Sequence, residues 1–232
     1  MDKKLAISEY LKFELSNWKI YEIIILMIVL SVVLLNFIIF NDSLIAVISA
    51  ICGILYTVLA GKGKVYCFAF GLCGSGFYSY LSFANALYGN LLLYLCYYIP
   101  MQITGIFKWK KNLKKDANEI IKTQLTNKQR LIIFFLTVLG SIIVAFILKY
   151  FNDTQPVKDA VTTVFSIVGM YFTVKRYIEQ WIIWIVVNGI SFFMWIDAVI
   201  NGAKAYSTII MWGFYFIVAI YFYLVWKKEL RQ

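Results

Sequence analysis

Histidine is absent from all 232 residues, which removes imidazole triads, histidine metal sites and histidine proton relays from consideration. Charge is scarce as well: Asp, Glu, Lys and Arg make up 15% of the chain, with 12 acidic residues against 22 basic ones. Proline occurs only at Pro100 and Pro156, so long helices can run almost uninterrupted. The four cysteines, Cys52, Cys67, Cys73 and Cys96, fall inside apolar runs without CxxC spacing and read as small buried hydrophobes. No P-loop is present, because Gly61-Lys62-Gly63-Lys64 is too short and lacks the required spacing. Nor does any span pair a nucleophile with a base or hold two carboxylates at depth, as an intramembrane enzyme would need. No enzymatic activity, metal or cofactor is therefore expected.

Apolar residues fill the chain instead, at 62% with a mean hydropathy of +0.78, where soluble domains hold roughly half. The chain reads as an integral membrane protein. A bilayer core needs about 20 helical residues per crossing, and the apolar runs predict eight spans, at 22–40, 43–60, 64–82, 86–107, 130–149, 158–174, 181–198 and 206–226. Residues 1–21 are mixed in charge and amphipathic, and are expected to lie on the cytoplasmic surface before a retained first span. Residues 108–129 are lysine-rich and predict a soluble basic loop. Of the 22 basic residues, 19 fall on one side of this arrangement and only Lys149, Lys158 and Lys204 on the other. The positive-inside bias then places both termini in the cytoplasm of a multi-pass protein of the cell (inner) membrane. The same topology accounts for the net charge of +10 without nucleic acid.

The chain also repeats itself. A shift of 116 residues superposes Gly53 on Gly169, Tyr56 on Phe172, Thr57 on Thr173, Val65 on Trp181 and Phe68 on Trp184. A shift of 117 aligns Tyr98 to Lys111 with Tyr215 to Lys228, and both copies end Trp-Lys-Lys. The reading is an all-α, parallel 3+1+3 repeat with one extra helix in front. Its parts are the extra span at 22–40, a first three-helix unit at 43–111, a basic loop and linker span at 112–157, and a second unit at 158–228.

Candidate site residues follow from polar or aromatic side chains placed deep in apolar helices. Trp181, Trp184 and Asn188 stand at i, i+3 and i+7 and share one helical face, with Trp195 near the same stripe. Lipid offers an asparagine amide no partner, so Asn188 must face a neighbouring helix, a cavity or a ligand. The structural alternative makes Trp181 an interfacial anchor, Trp184 packing and Asn188 a helix–helix hydrogen bond. On the first unit's third helix Tyr94, Tyr98, Gln102 and Trp109 stand where the second copy has Met211, Tyr215, Ala219 and Trp226. A cavity between the units would therefore see Gln102 from one and Asn188 from the other, and Pro100 should kink that helix. The kink either opens carbonyl groups to a cavity or is purely structural.

The run Glu179-Gln-Trp181-Ile-Ile-Trp184-Ile-Val-Val-Asn188, with Tyr98-Ile-Pro100-Met-Gln102-Ile-Thr-Gly105-Ile-Phe-Lys-Trp109, resembles the PnuC family of vitamin transporters, specifically its nicotinamide riboside members. The likeness covers about residues 43–228. It implies a SWEET-like fold, facilitated diffusion of nicotinamide riboside, trapping of that substrate by a cytoplasmic riboside kinase, and a homotrimer in the lipid bilayer. It also implies substrate contacts from Trp181, Trp184, Asn188 and Gln102, with Tyr94, Tyr98 and Trp195 completing the expected set. Tyr94 departs from relatives that carry glutamine there. Thiamine- and riboflavin-transporting relatives share the fold, and a non-transporting membrane sensor remains the alternative of a different class.

Overall fold

The computed structural model describes residues 18–40, 44–84, 88–113, 119–151, 155–200 and 206–231; most of the expected N-terminal amphipathic segment lies outside them. The described residues are overwhelmingly helical. The helices are α1 (Ile20–Phe40), α2 (Leu44–Gly61), α3 (Cys67–Ala84), α4 (Tyr88–Leu93), α5 (Ile99–Lys110), α6 (Asn127–Tyr150), α7 (Pro156–Lys175), α8 (Glu179–Ile200) and α9 (Tyr206–Glu229). A π-helical turn, Tyr94–Tyr98, joins α4 to α5 without a break. Among the described residues six stretches are long and apolar enough to cross a membrane: 20–39, 44–61, 91–110, 127–150, 156–175 and 209–229. Helix α8 adds a shorter apolar stretch over Glu179–Met194, and α3 is interrupted by Gly71, Gly74, Gly76, Ser75, Ser79 and Tyr78.

Helix ends follow local chemistry. Helix α6 begins three residues before the expected 130 because Thr126-Asn-Lys-Gln129 forms a capping box. The Thr126 hydroxyl accepts from the Gln129 amide at 3.3 Å, and the Gln129 side chain accepts from the Thr126 amide at 3.0 Å. Pro100 produces a π turn rather than a sharp kink. It contributes no N–H of its own, and just before it the Ile99 amide reaches back five residues to the Tyr94 carbonyl. At the end of α7, Arg176 adopts a left-handed conformation (φ 65°), and the Tyr177 amide donates to the Phe172 carbonyl at 3.0 Å, so the chain turns straight into α8.

Close helix pairs use small residues. On α3, Gly74 lies so near Cys52 of α2 that a Cβ would sit 3.1 Å from the Cys52 Cβ. Helices α8 and α9 exchange contacts reciprocally, Gly189 receiving the ring of Phe216 and Gly213 the ring of Phe192. Beyond these hairpins, α5 packs on α7 and α9 packs on α2. Each of these two contacts is closed by a fully buried indole. Trp109 Nε1 donates to the Thr173 carbonyl at 2.9 Å and Trp226 Nε1 to the Gly61 carbonyl at 2.7 Å. Helix α1 lies at the edge, held at its first turn by Glu22, which accepts from Lys62 and from the Tyr221 hydroxyl at 2.5 Å.

The basic connection expected to be soluble is docked over its described second half. Ile120 is fully buried and its amide donates to the Gly63 carbonyl at 3.1 Å; Thr123 exchanges backbone hydrogen bonds with Arg176 (3.0 Å) and Ile178 (2.9 Å). Lys122 pairs with Glu229 at 2.5 Å, and the buried Glu179 carboxylate takes Arg130 at 2.8 Å and the Leu125 amide at 3.2 Å. This strap ties the α2–α3 link, the α7–α8 link and the end of α9 together. Lys122 therefore belongs to a joint; residues 114–118 lie outside the description.

Gly61 gives the packing a direct test. A Cβ there would stand 2.2 Å from the ring of Phe222, which is 3% exposed and has no room to withdraw. Gly61→Ala is expected to destabilise the fold by about 1–3 kcal/mol, read as a lower melting temperature of detergent-purified protein. Adding Phe222→Leu should restore most of the loss, and a neutral Gly61→Ala would contradict the packing.

Candidate functional site

The π turn sets the site's geometry. Widening the helix at Tyr94–Tyr98 lets consecutive phenols turn toward α7: the Tyr97 hydroxyl donates to the Ile167 carbonyl at 2.6 Å, and the Tyr98 hydroxyl faces Ser166. Tyr94 stacks between neighbours, its ring centroid 4.5 Å from Tyr78 of α3 and 4.8 Å from Tyr98. Tyr215 of α9 lies within electrostatic reach of Tyr94 and approaches Gly53 of α2, whose added Cβ would be 2.7 Å from the Tyr215 hydroxyl. A continuous phenol wall therefore runs from α3 through α4–α5 toward α9.

One turn beyond Tyr98, Gln102 is 4% exposed and donates through Nε2 to the Ser75 hydroxyl at 3.0 Å. Its Oε1 is buried without a hydrogen-bond partner. A buried carbonyl oxygen left open carries a desolvation cost of about 1–3 kcal/mol, so it marks a place where a donor is missing. Gly71 makes room for this amide: a Cβ there would stand 3.1 Å from Gln102 Cδ and 2.8 Å from the Tyr56 ring. Tyr56 itself reaches across to α7, where its hydroxyl donates to Met170 Sδ at 3.7 Å.

Helix α8 supplies the second group. Trp184 Nε1 donates to the Thr173 hydroxyl at 3.3 Å, and its ring lies against Gly169 of α7. Asn188 is 6% exposed, so its amide does not face lipid, and none of the described hydrogen bonds includes it. Trp181 behaves differently. It is 2% exposed, packs on Phe222 at 5.4 Å and edge-on to Trp226 at 5.6 Å, and keeps a buried Nε1 without a partner. It belongs to the aromatic plug beside the strap, at the end of α8 next to Glu179. The side chain of Trp195 lies outside the described residues.

Of the seven expected site residues, then, Tyr94, Tyr98 and Gln102 share one face and two of their rings touch, Trp184 and Asn188 turn inward on α8, and Trp181 closes the end of the bundle. Sequence reasoning missed Ser75, Tyr78, Tyr56, Ser166, Met170 and Tyr215. Ser75 and Tyr78 were visible as polar residues in a helix otherwise apolar and glycine-rich, whereas Met170 carried no signal. The cavity of about 460 Å³ lined by Ile45, Leu72, Cys73, Gly76, Phe77 and Tyr80 is an open apolar groove of α2 and α3 and includes none of the seven.

Comparison with known proteins adds the family. Residues 43–228 match the family described as nicotinamide mononucleotide transporter. The chain is 32% identical over 221 residues to the nicotinamide riboside transporter PnuC of Neisseria mucosa, covering 93% of this chain and 84% of that protein. It is 29% identical over 219 residues to the PnuC of Haemophilus influenzae, covering 94% of each. A crystal structure of the vitamin B3 transporter PnuC superposes with a TM-score of 0.82 at 31% identity, over 96% of this chain and 97% of that one. Its helices, its inward-facing amides and these matches lead to one conclusion: the chain is a membrane protein belonging to the nicotinamide mononucleotide transporter (PnuC) family.

Proposed function

We propose that this protein carries nicotinamide riboside across the membrane by facilitated diffusion, through a path between two like-oriented three-helix units. The observation that carries the reading is the open, buried Oε1 of Gln102 beside the phenols Tyr94 and Tyr98, in a chain 32% identical to a nicotinamide riboside transporter. Nicotinamide riboside is a flat pyridinium cation with a carboxamide and a ribose. Phenol and indole faces attract such a ring by about 0.5–2 kcal/mol per contact. The Gln102 oxygen accepts a carboxamide N–H or a ribose O–H, and the Asn188 amide offers both a donor and an acceptor.

The same reading holds eight spans in a SWEET-like 3+1+3 order with both termini cytoplasmic, and the helix contacts support its two-unit repeat. The third helix of each unit leans on the first helix of the other, α5 on α7 and α9 on α2. The equivalent indoles Trp109 and Trp226 seal both contacts against main-chain carbonyls near the ends of α7 and α2. Helix α6 turns Phe134, Phe135, Leu136, Leu139 and Ile143 outward, a face suited to lipid or to the neighbouring protomers of a homotrimer.

Downhill transport is favoured by where the carboxylates are. Glu22, Glu179 and Asp197 stand near helix ends in ion pairs with Lys62, Arg130 and Lys158, so none is available at mid-membrane for proton or sodium coupling. Phosphorylation by a cytoplasmic riboside kinase would then retain the substrate. Reconstituted into liposomes, the protein should take up labelled nicotinamide riboside only to equilibrium, at a rate unchanged by imposed proton or sodium gradients. Accumulation above the outside concentration without a kinase would overturn the mechanism.

A further inference from the structure

Three cations, Lys108, Lys175 and Arg176, meet at the strap end of the bundle. The Trp109 indole, hydrogen-bonded to the Thr173 carbonyl at 2.9 Å, fixes the end of α5 against the end of α7. Lys108 precedes that indole, and Lys175 and Arg176 follow Thr173 by two and three residues. The Lys108 and Lys175 side chains are immediate neighbours, and Arg176 lies within electrostatic reach of Lys108. Lys175 also rests over the Tyr171 ring, 5.7 Å from its centroid. No ion pair among the described residues includes any of the three; the paired carboxylates Glu22, Glu179, Glu229 and Asp197 are engaged elsewhere.

Arg176 is the least explained of the group. It occupies a left-handed turn position, φ 65°, that glycine or asparagine would take with less strain. Its Nη1 is buried with no hydrogen-bond partner, and its Nε reaches only the Lys175 carbonyl at 3.5 Å. The backbone of this turn is pinned by Thr123, which fixes where the Arg176 side chain leaves the chain. A rigid planar fork with an unused N–H, flanked by two ammonium groups, matches the oxygens of a phosphate.

We propose that Lys108, Lys175 and Arg176 form a binding site for a phosphate oxyanion, supplied by an anionic lipid headgroup or by a soluble phosphate. The site is separate from the amide and phenol group and independent of the identity of the cargo. An anion there would relieve the mutual repulsion of the three cations and clamp α5 to the α7–α8 turn through the strap.

The test is thermal melting of the purified full chain in detergent, titrated separately with phosphatidylglycerol, phosphatidylcholine and inorganic phosphate. Arg176→Asn keeps a residue that tolerates the left-handed turn, Lys108→Gln leaves the backbone untouched, and Lys227→Gln removes an equal charge at an exposed position on α9. The wild type should gain a saturable rise in melting temperature. The midpoint should move at least tenfold higher in Arg176→Asn and Lys108→Gln and stay unchanged in Lys227→Gln. A rise with phosphatidylglycerol alone identifies a lipid headgroup, and a rise with inorganic phosphate identifies a soluble ligand. The proposal is overturned if neither anion acts, if phosphatidylcholine acts equally, or if Lys227→Gln loses as much as the other two. Should Arg176→Asn fail to fold, Lys108→Gln decides alone.

Discussion

Trp226→Ala is expected to cost about 3–5 kcal/mol of stability, the range for deleting a fully buried large aromatic side chain. Trp226 is 0% exposed, holds the Gly61 carbonyl at 2.7 Å, packs edge-on to Trp181 and lies beneath the Lys122 ammonium at 5.1 Å. Its removal opens a cavity where α9 meets α2, leaves the Gly61 carbonyl without its indole donor, and exposes the already unpartnered Trp181 Nε1. Trp226→Phe keeps an aromatic ring in the site but leaves the Gly61 carbonyl without its donor, so it should cost about 1–3 kcal/mol. Melting of the two variants side by side separates packing from hydrogen bonding. Equal melting temperatures for Trp226→Ala and wild type would refute the idea that this indole seals the contact.

The second large effect concerns binding and not folding. Gln102→Leu removes the open Oε1 and its Ser75 bond at near-constant volume, and Asn188→Ala removes the buried amide of α8. Each should weaken nicotinamide riboside binding by about 1–3 kcal/mol, roughly fivefold to more than a hundredfold in Kd. Melting temperature should change little for Gln102→Leu, because a leucine satisfies the apolar surroundings once the lone oxygen is gone. Calorimetric titration reads both, and an unchanged affinity in either variant would remove that residue from the site.

How much of this was legible in the sequence depends on what each feature requires. The helices follow from apolar runs, because a membrane helix satisfies its own backbone and needs no distant partner to be recognised. The start of α6 was readable too, since Thr126 and Gln129 stand at capping-box spacing. Pro100 announced a disturbance, but a lone proline does not say whether the helix bends or widens, and here Ile99 reaches back to Tyr94. The docking of the strap was not legible from composition: counting lysines hides Ile120, which is buried and bonds to the Gly63 link far away in sequence. Trp181 shares a helical face with Trp184 and Asn188, as its spacing requires, yet at the end of α8 that face meets Phe222 and Trp226 of α9. Helical periodicity identifies a face; only the packed neighbour decides whether a side chain on it plugs or lines.

The glycines follow the same rule. Gly105 and Gly61 each receive an aromatic ring, Phe68 from α3 and Phe222 from α9 respectively. Neither glycine is distinguishable in sequence from Gly76, whose Cβ would meet open space.

The most direct measurement is calorimetric titration of the purified protein with nicotinamide riboside, thiamine and riboflavin in turn. The proposed site of Tyr94, Tyr98, Gln102 and Asn188 predicts saturable binding of nicotinamide riboside and none of comparable strength for the other two. Binding of thiamine or riboflavin in its place, or no binding of nicotinamide riboside at all, would contradict it.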